Sequence, residues 1–350
     1  MPRLIVPCVL RTTLASALAA FPLTVAASKP ATDVPVDTGA KIEHKIAYLG
    51  SPNNIKLSNG TVDLILATDY GPRIMRYALA GAPDDGNVFA TIPPEKPNLK
   101  TDLGDWFIRG GHRLWHAPEA VPRSYVPDDS PVQVQIDAGT VKLIQPVEKM
   151  TNIQKEVWVR LDALGSHVTV THKLTNKGLF PVTMSCWAMS AMNTGGIAIL
   201  PQEPYQSHDD EVRPARSMTL WGYTDLTDSR WMIGKSFLTL TQSPDIASSQ
   251  KIGILNRQGW SAYFHSGSLF VKRFSYEKGK EYPDLGCNNE IYTDGTFLEL
   301  ETLGPLEKVE PGQSITYQED WWLFKNIDIG NGETGIAAAI QPILTETSRR

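Results

Sequence analysis

The chain has 350 residues, and 33 Lys and Arg against 38 Asp and Glu give it a formal net charge of −5. Hydrophobic residues make up 41% and charged residues 20% of it, a balance that excludes extensive disorder and is typical of a folded globular protein. No run or stripe of Lys and Arg occurs, which excludes nucleic acid as an expected partner.

The N-terminus has the pattern of an export signal. Basic residues occur up to Arg11, an apolar stretch of about 15 residues follows, and Ala27 ends a run of small residues of the kind that signal peptidases recognise. The stretch is shorter than the roughly 20 residues of a spanning helix, although a membrane anchor is the alternative. We therefore predict a signal peptide over 1–27, a flexible leader over 28–44, and an exported protein, periplasmic or secreted, without a membrane anchor after cleavage.

From residue 45 onward, short segments of alternating hydrophobicity separated by turn residues predict β-strands. These strands cover 61–67, 73–79, a hairpin within 132–143, 157–161, 167–174, 180–184, 237–241, 251–255, 261–264, 269–274, 296–300 and 314–324. Helix is predicted at 335–340 and in a turn at 95–99. The spacing of the strands predicts an antiparallel all-β sandwich, one domain over 45–328, followed by a C-terminal tail over 329–350 with a short helix.

Residues 106–119 (WFIRGGHRLWHAPE) combine two Trp, two His, two Arg and a Gly pair in one short segment. Gly110 and Gly111 weaken a strand, and the charge density opposes burial, so the segment predicts a loop. His112 and His116 differ from the other histidines because they lie in this Arg- and Trp-rich setting.

The same segment holds candidate ligand-binding residues. A guanidinium and an indole together hold a polyhydroxylated ring, by hydrogen bonds to its hydroxyls and stacking on its C–H face. Arg109, Arg113 and Trp115 are therefore candidates for binding sugar. In the alternative structural interpretation the Trp side chains fill the core, and the two Arg pair with Asp102 and Asp105.

A late predicted strand, 297–303, carries two acidic residues on one face. Because side chains alternate along a strand, Glu299 and Glu301 point to the same side, about 6.6 Å apart. If that side lines a cleft, one carboxyl of raised pKa could act as a base; if it faces solvent, both are ordinary surface residues. We predict that residues 185–202, which contain Trp187, belong to the core and line the cleft.

Cys186 and Cys287 remain after the signal is removed, and they form either one disulfide or two buried thiols. Neither has a CxxC partner or a His at zinc-site spacing. The sequence also has no GxSxG, P-loop, GxGxxG or HExxH motif. We expect neither a metal nor a cofactor.

The chain resembles the galactose mutarotase-like superfamily over most of residues 45–325. The resemblance is carried by NGTVDLILATDYGPRIMRY (59–77), RGGHRLWHAPE (109–119), VTVTHKLTNKGLFPVTMSCW (168–187) and LELETLGPLEKVEPGQS (298–314). It implies an antiparallel β-supersandwich with few short helices and an open cleft that binds a monosaccharide or oligosaccharide.

In aldose mutarotases of this superfamily, a His protonates the ring oxygen while a Glu accepts the proton of the anomeric hydroxyl. The resemblance implies Glu301 as this base, because a Pro-Gly turn follows its strand, with Glu299 as the alternative on the same face. The segment PVTMSCWAMS places Trp187 where the His is expected. Either His112 or His116 then supplies the acid, or the protein binds sugars without epimerising them.

In hexose-phosphate mutarotases the segment similar to 109–115 carries an Arg that contacts the substrate. The resemblance gives this role to Arg109, with Trp115 as the platform for the ring. Three functions stay open: an exported aldose 1-epimerase-like isomerase, a non-catalytic glycan-binding module that uses Trp115, and a polysaccharide lyase or hydrolase.

Overall fold

The computed structural model describes residues 39–348. The predicted signal peptide, its cleavage site, Cys8 and the leader up to residue 38 lie outside the described residues. The first half of the described chain consists of the strands β1 Lys41–Tyr48, β2 Ser51–Ser58, β3 Val62–Ala67, β4 Arg73–Leu79, β5 Leu99–Thr101, β6 Gly104–Trp106, β7 His112–Ala117, β8 Gln133–Asp137, β9 Thr140–Ile144, β10 Ile153–Leu161, β11 Val168–Asn176 and β12 Val182–Met192.

The second half adds the strands β13 Ile197–Pro201, β14 Met218–Leu220, β15 Trp231–Ile233, β16 Phe237–Thr241, β17 Gln250–Ile254, β18 Trp260–His265, β19 Ser268–Phe274, β20 Asn289–Thr293, β21 Leu298–Leu303, β22 Glu307–Val309 and β23 Ser314–Phe324. The helices are the single turn α1 (Pro283–Gly286) and α2 (Gly332–Thr347), with 3₁₀ turns at Asp84–Gly86 and Arg123–Tyr125. The predicted all-β class is therefore confirmed.

Two large antiparallel sheets form the sandwich. The larger has the order β1-β2-β3-β4-β7-β12-β21-β20-β17-β14, with β22 also paired to β12. The smaller has the order β15-β16-β13-β18-β19-β23-β11-β10-β9-β8, and β5 pairs with β6 in a separate hairpin. Neighbours such as β7 and β12 are far apart in the chain, so the middle of the larger sheet is built from non-local pairs.

The main core lies between the sheets and consists of the inward side chains of both, among them Leu64, Tyr77, Leu114, Phe270 and Trp321. Alternation sends the other side chains outward, and on the larger sheet these include a second buried cluster around the indoles of β7 and β12. On the smaller sheet, α2 covers the outer face. No helix within residues 39–348 is long and apolar enough to cross a membrane.

Several predicted boundaries need correction. The leader ends earlier than residue 44, because β1 begins at Lys41. The C-terminal helix is longer than predicted and belongs to the folded unit, since Ile336, Ile340 and Ile343 pack at helical spacing against the smaller sheet. Residues 95–99 form bends and the start of β5, not a helical turn.

The predicted loop at 106–119 is wrong for its second half, which forms β7 in the centre of the larger sheet. Gly110 and Gly111 precede this strand and do not interrupt it. Its charged side chain, Arg113, is tolerated because a carboxylate neutralises it on the outer face. Cys186 and Cys287 are both buried and free, so the disulfide alternative is not formed.

Candidate functional site

A cavity of about 280 Å³ opens on the outer face of the larger sheet. The strands β7, β12, β17, β20 and β21 form its floor, and connecting segments form its walls. The residues that line it are Asn98, Trp106, Ile108, Arg113, Trp115, Glu119, Tyr125, Trp187, Met189, Tyr223, Lys251, Tyr292, Asp294, Phe297 and Glu299.

Strand register aligns the floor of this cavity. Met189 of β12 is paired with Arg113 on one side and with Glu301 on the other. Glu301 is in turn opposite Glu290 of β20, so these four side chains form one row across four strands on the same face of the sheet. The row brings charges from distant parts of the sequence within reach of each other.

Aromatic rings form one wall. The ring centroids of Trp115 and Trp187 are 5.5 Å apart, and Trp106 lies 5.4 Å from Trp115, both in edge-to-face geometry. The ring of Tyr125 completes the group at 5.0 Å from Trp115. Edge-to-face contacts of this kind hold aromatic side chains in defined orientations, so the wall is preformed.

An ion pair crosses the floor beside this wall. Nη1 of Arg113 lies 2.7 Å from Oε1 of Glu299, and the two side chains are 3% and 11% exposed. The guanidinium carbon also lies 4.9 Å from the centroid of the Trp115 ring. The ion pair neutralises the arginine, and the guanidinium lies within cation–π distance of the aromatic wall.

Lys251 holds the second charge cluster. Its Nζ lies 2.9 Å from Oε2 of Glu290 and 3.0 Å from Oε2 of Glu301. The indole Nε1 of Trp187 donates a further hydrogen bond of 2.8 Å to Glu301. Both carboxylates are fully buried, whereas Lys251 lines the cavity.

Burial and charge determine the protonation of this cluster. Burial lowers the pKa of Lys251, but the charges of Glu290 and Glu301 outweigh it and hold that pKa well above its ordinary value. Burial raises the pKa of Glu301, and it raises the pKa of Glu290 well above its usual range. The side chain of Lys251 is therefore held in its protonated form, and the carboxyls of Glu290 and Glu301 both interact with this one cation.

The segment before β7 is held by Arg73, which is fully buried. Its Nη1 donates to the carbonyls of Ile108 and Gly110 at 2.7 and 2.9 Å, and its Nε donates to Asp128 at 2.7 Å. The backbone φ angles of Arg109, Gly110 and Gly111 are all positive, at 52°, 77° and 70°. This left-handed turn directs the chain into β7 at the cavity edge.

Five of the predicted site residues meet at this cavity. Arg113, Trp115, Trp187 and Glu299 line it, and Glu301 lies directly behind Lys251 and Trp187. Glu299 and Glu301 share a face, as alternation predicts, and that face is the one with the arginine and the indoles. Arg113 pairs with Glu299, not with Asp102 or Asp105 as in the structural alternative.

The expectation that His112 or His116 reaches the cavity is corrected. Both alternate with Arg113 and Trp115 along β7, so both face the interior between the sheets. His112 is fully buried, and its Nδ1 lies 2.8 Å from the hydroxyl of Ser190. His116 is 1% exposed. Burial lowers the pKa of both imidazoles well below the usual value.

The expected contact of Arg109 with the same ligand as Trp115 is also corrected. Arg109 lines a separate cavity of about 270 Å³, walled by apolar side chains. Its guanidinium carbon lies 4.7 Å from the centroid of Tyr70. The left-handed backbone at Arg109 turns its side chain away from the cavity that Arg113 enters.

Lys251 and Glu290 are site residues that the sequence analysis missed. A signal was present for Lys251, since it is a lone cation in the otherwise apolar strand segment KIGIL. Glu290 follows two Asn in a turn-rich segment and carries no such signal. Tyr125 and Tyr223 come from connecting segments, whose positions alternation does not predict.

A different cluster lies in the core and consists of His112, His172 and Glu319. Its three potential metal-ligating atoms lie within 4.8 Å of one another, and it is the one such group among residues 39–348. The Nε2 atoms of the two imidazoles are 2.7 Å apart, as in a hydrogen bond between neutral rings. Glu319 accepts hydrogen bonds from Lys272 at 3.0 Å and from Trp321 at 2.8 Å. These polar atoms already satisfy each other, which is typical of a closed structural network.

No family model and no curated protein matches the sequence. Among solved structures, a TPR-domain containing protein from Parabacteroides distasonis has 14% identity and a TM-score of 0.54 over 79% of this chain and 48% of its own length. This chain therefore spans about half of that protein.

Two other structures match over nearly their whole length. A galactose mutarotase-like protein from Lactobacillus casei has 11% identity and a TM-score of 0.50, covering 77% of this chain and 100% of its own. A galactose mutarotase related enzyme from Lactobacillus acidophilus has 9% identity and a TM-score of 0.50, covering 79% and 98%. The resemblance inferred from the sequence is confirmed at the level of the fold: the chain is a β-supersandwich of the galactose mutarotase-like type.

Proposed function

We propose that this protein binds a sugar ring in the cavity on the outer face of the larger sheet. The main support for this proposal is that a preformed wall of indole rings lies beside the Arg113–Glu299 ion pair. The C–H face of a pyranose stacks on an aromatic ring, and its hydroxyls exchange hydrogen bonds with charged groups beside that ring. A cavity of about 280 Å³ has room for one sugar residue.

The fold supports the same ligand class. The structure from Lactobacillus casei is named a galactose mutarotase-like protein and that from Lactobacillus acidophilus a galactose mutarotase related enzyme, and both names refer to a sugar. A shared fold hosts many functions, so the proposal depends on the residues of the cavity.

The geometry favours binding without ring opening. Glu301 is fully buried behind Lys251 and Trp187, so it does not contact a ligand in the cavity. Neither His112 nor His116 faces the cavity. A general acid works best with a pKa near the operating pH, and the pKa of Lys251 is held far above it.

A ring-opening isomerase of the aldose 1-epimerase type is the second candidate. Glu299 favours it, because this carboxylate lines the cavity together with Lys251. Glu299 would accept the proton of the anomeric hydroxyl while the bond between the anomeric carbon and the ring oxygen breaks, and the Lys251 ammonium would give a proton to that oxygen. Ring closure on the other face of the carbonyl would reverse both proton transfers.

Calorimetric titration with neutral monosaccharides and short oligosaccharides tests the binding proposal. We expect a Kd in the range of about 1 μM to 1 mM, which corresponds to roughly −8 to −4 kcal/mol. Trp115→Ala should abolish binding, whereas the control Trp158→Ala, at a half-buried indole of the smaller sheet, should not. Equal binding by both variants, or none by the native protein, would refute the proposal.

Anomeric exchange followed by NMR separates the two candidates. If the protein only binds, α and β anomers interconvert at the spontaneous rate in its presence. If it is an isomerase, exchange accelerates with the native protein and slows at least tenfold in Glu299→Gln, since general base catalysis contributes roughly 10² or more.

We also propose that the protein is exported, from the signal pattern in residues 1–27. Expression of the full chain in a Gram-negative bacterium tests this. Fractionation should recover the protein in the periplasm with Ser28 as its first residue, as read by mass spectrometry. Intact protein starting at Met1 in the cytoplasm would contradict it.

A further inference from the structure

We infer that the cavity discriminates by charge, accepting neutral and amino sugars and rejecting sugar acids and sugar phosphates. This inference rests on the proposed sugar-binding function and deepens it. It follows because each positively charged side chain that lines the cavity already forms an ion pair with a carboxylate.

Of the described residues that line the cavity, Arg113 and Lys251 are the ones with a permanent positive charge. Arg113 is paired at 2.7 Å with Glu299. Lys251 lies at 2.9 and 3.0 Å from two carboxylates, Glu290 and Glu301. Neither cation is left without an anionic partner.

The remaining charges are negative. Glu119 and Asp294 line the cavity, and neither forms an ion pair with a Lys or Arg of residues 39–348. Glu119 accepts a hydrogen bond from the hydroxyl of Tyr125. Asp294 accepts hydrogen bonds of 2.7 Å from the backbone and the hydroxyl of Thr296. Carboxylates therefore outnumber cations around a bound ring.

An anionic ligand meets an unfavourable field in such a cavity. It would lose its hydration, face carboxylates a few ångströms away, and gain a cation only by displacing a buried carboxylate from it. A sugar hydroxyl donates to the same carboxylates without this cost, and a protonated amine gains from them. At about 6 Å and a partly solvated dielectric, one like charge is enough for roughly tenfold discrimination.

The Arg113–Glu299 pair is the element to test. Glu299→Gln keeps the shape of the side chain and removes its charge, so Arg113 is left without its partner and becomes available to an anion. Glu310→Gln is the matched control, because Glu310 is exposed and pairs only with Lys308 on the surface.

Calorimetry would compare glucose and galactose with their 2-amino and 6-carboxylate derivatives, and with glucose 6-phosphate. We expect the native protein to bind each acid and the phosphate at least tenfold more weakly than its neutral parent, and each amino sugar at least as tightly. In Glu299→Gln the ratio of acid to neutral affinity should rise about tenfold, while Glu310→Gln keeps the native ratio.

Three other results would each contradict a different claim. Binding of acids as tight as that of the neutral parents by the native protein overturns the charge inference and leaves sugar binding intact. An unchanged ratio in Glu299→Gln, with neutral sugars still bound, overturns the role of the ion pair. Absence of binding for all these sugars refutes the proposed function itself and the inference with it.

Discussion

The indole Nε1 of Trp187 donates a 2.8 Å hydrogen bond to Oε2 of Glu301, and both side chains are buried. The resemblance to aldose mutarotases implies the general acid at the position of Trp187 and the general base at that of Glu301. Here they bond directly to each other, and an indole does not release its proton at neutral pH. The pair therefore stabilises the cavity floor, and a sugar above it meets Lys251 and Glu299 first.

Trp187→Phe should destabilise the protein by about 1–3 kcal/mol, since it removes the donor to a buried carboxylate. The matched control is Trp158→Phe, whose indole bonds to Glu156 at 2.9 Å on the half-exposed outer face of the smaller sheet. Its cost should stay within about 0.5 kcal/mol. Urea unfolding measures both free energies, and equal values would show that the Trp187 bond has no special weight.

Lys251→Met should cost about 3–5 kcal/mol of unfolding free energy at pH 7.5, because it leaves Glu290 and Glu301 buried without a cation. Their pKa values then rise further above those of the unfolded chain, so the penalty decreases as the pH falls and the folded carboxyls take up protons. Measurement at pH 7.5 and 5.0 should show this decrease. Lys308→Met, at an exposed pair, should show no pH-dependent penalty.

His172→Gln should flatten the pH dependence of stability. Burial lowers the pKa of His172 from 6.5 to about 4. Between these values the unfolded chain binds a proton that the folded protein excludes, so unfolding free energy is lost as the pH falls from 6.5 to about 4. The loss amounts to at most about 3 kcal/mol.

In denaturant titrations from pH 7.5 to 4, the difference between native protein and His172→Gln isolates this contribution from that of the carboxylates. His208→Gln, at a side chain that is 90% exposed, is the control and should keep the native profile. A parallel profile for His172→Gln would contradict a buried neutral imidazole.

Gly110→Ala should be strongly destabilising and should abolish sugar binding. Gly110 has φ of 77°, and a Cβ there would collide with the backbone carbonyl of Ala90. Gly81→Ala is the control, with φ of 75° and open space around the added carbon. It should cost about 1–2 kcal/mol from backbone strain alone, and Gly110→Ala at least about 2 kcal/mol more. Thermal unfolding with calorimetric titration checks both.

Much of the fold could be predicted from the sequence because alternation is a local property. Segments such as 73–79, 237–241 and 314–324 are strands with the predicted bounds. Other strands, such as β1, β2, β13 and β20, were not predicted. Strand β7 shows most clearly what local patterning misses, because its charges resemble those of a loop and are buried only through the pairing of Arg113 with Glu299 on another strand. Burial of a charge depends on its partner, and the partner lies 186 positions away in the chain, between residues 113 and 299.

Some features of the candidate site could likewise be predicted from the sequence, and others could not. The sequence by itself determined that Glu299 and Glu301 share a face and that an Arg- and Trp-rich segment is a ligand-binding candidate, because both follow from residue types and their spacing. Three facts follow only from the tertiary structure. The imidazoles of His112 and His116 face the interior, Arg109 lines a different cavity, and Lys251 lines the candidate site. Those outcomes depend on strand register across β7, β12, β21, β20 and β17, and register between distant strands is set by packing of the whole sandwich.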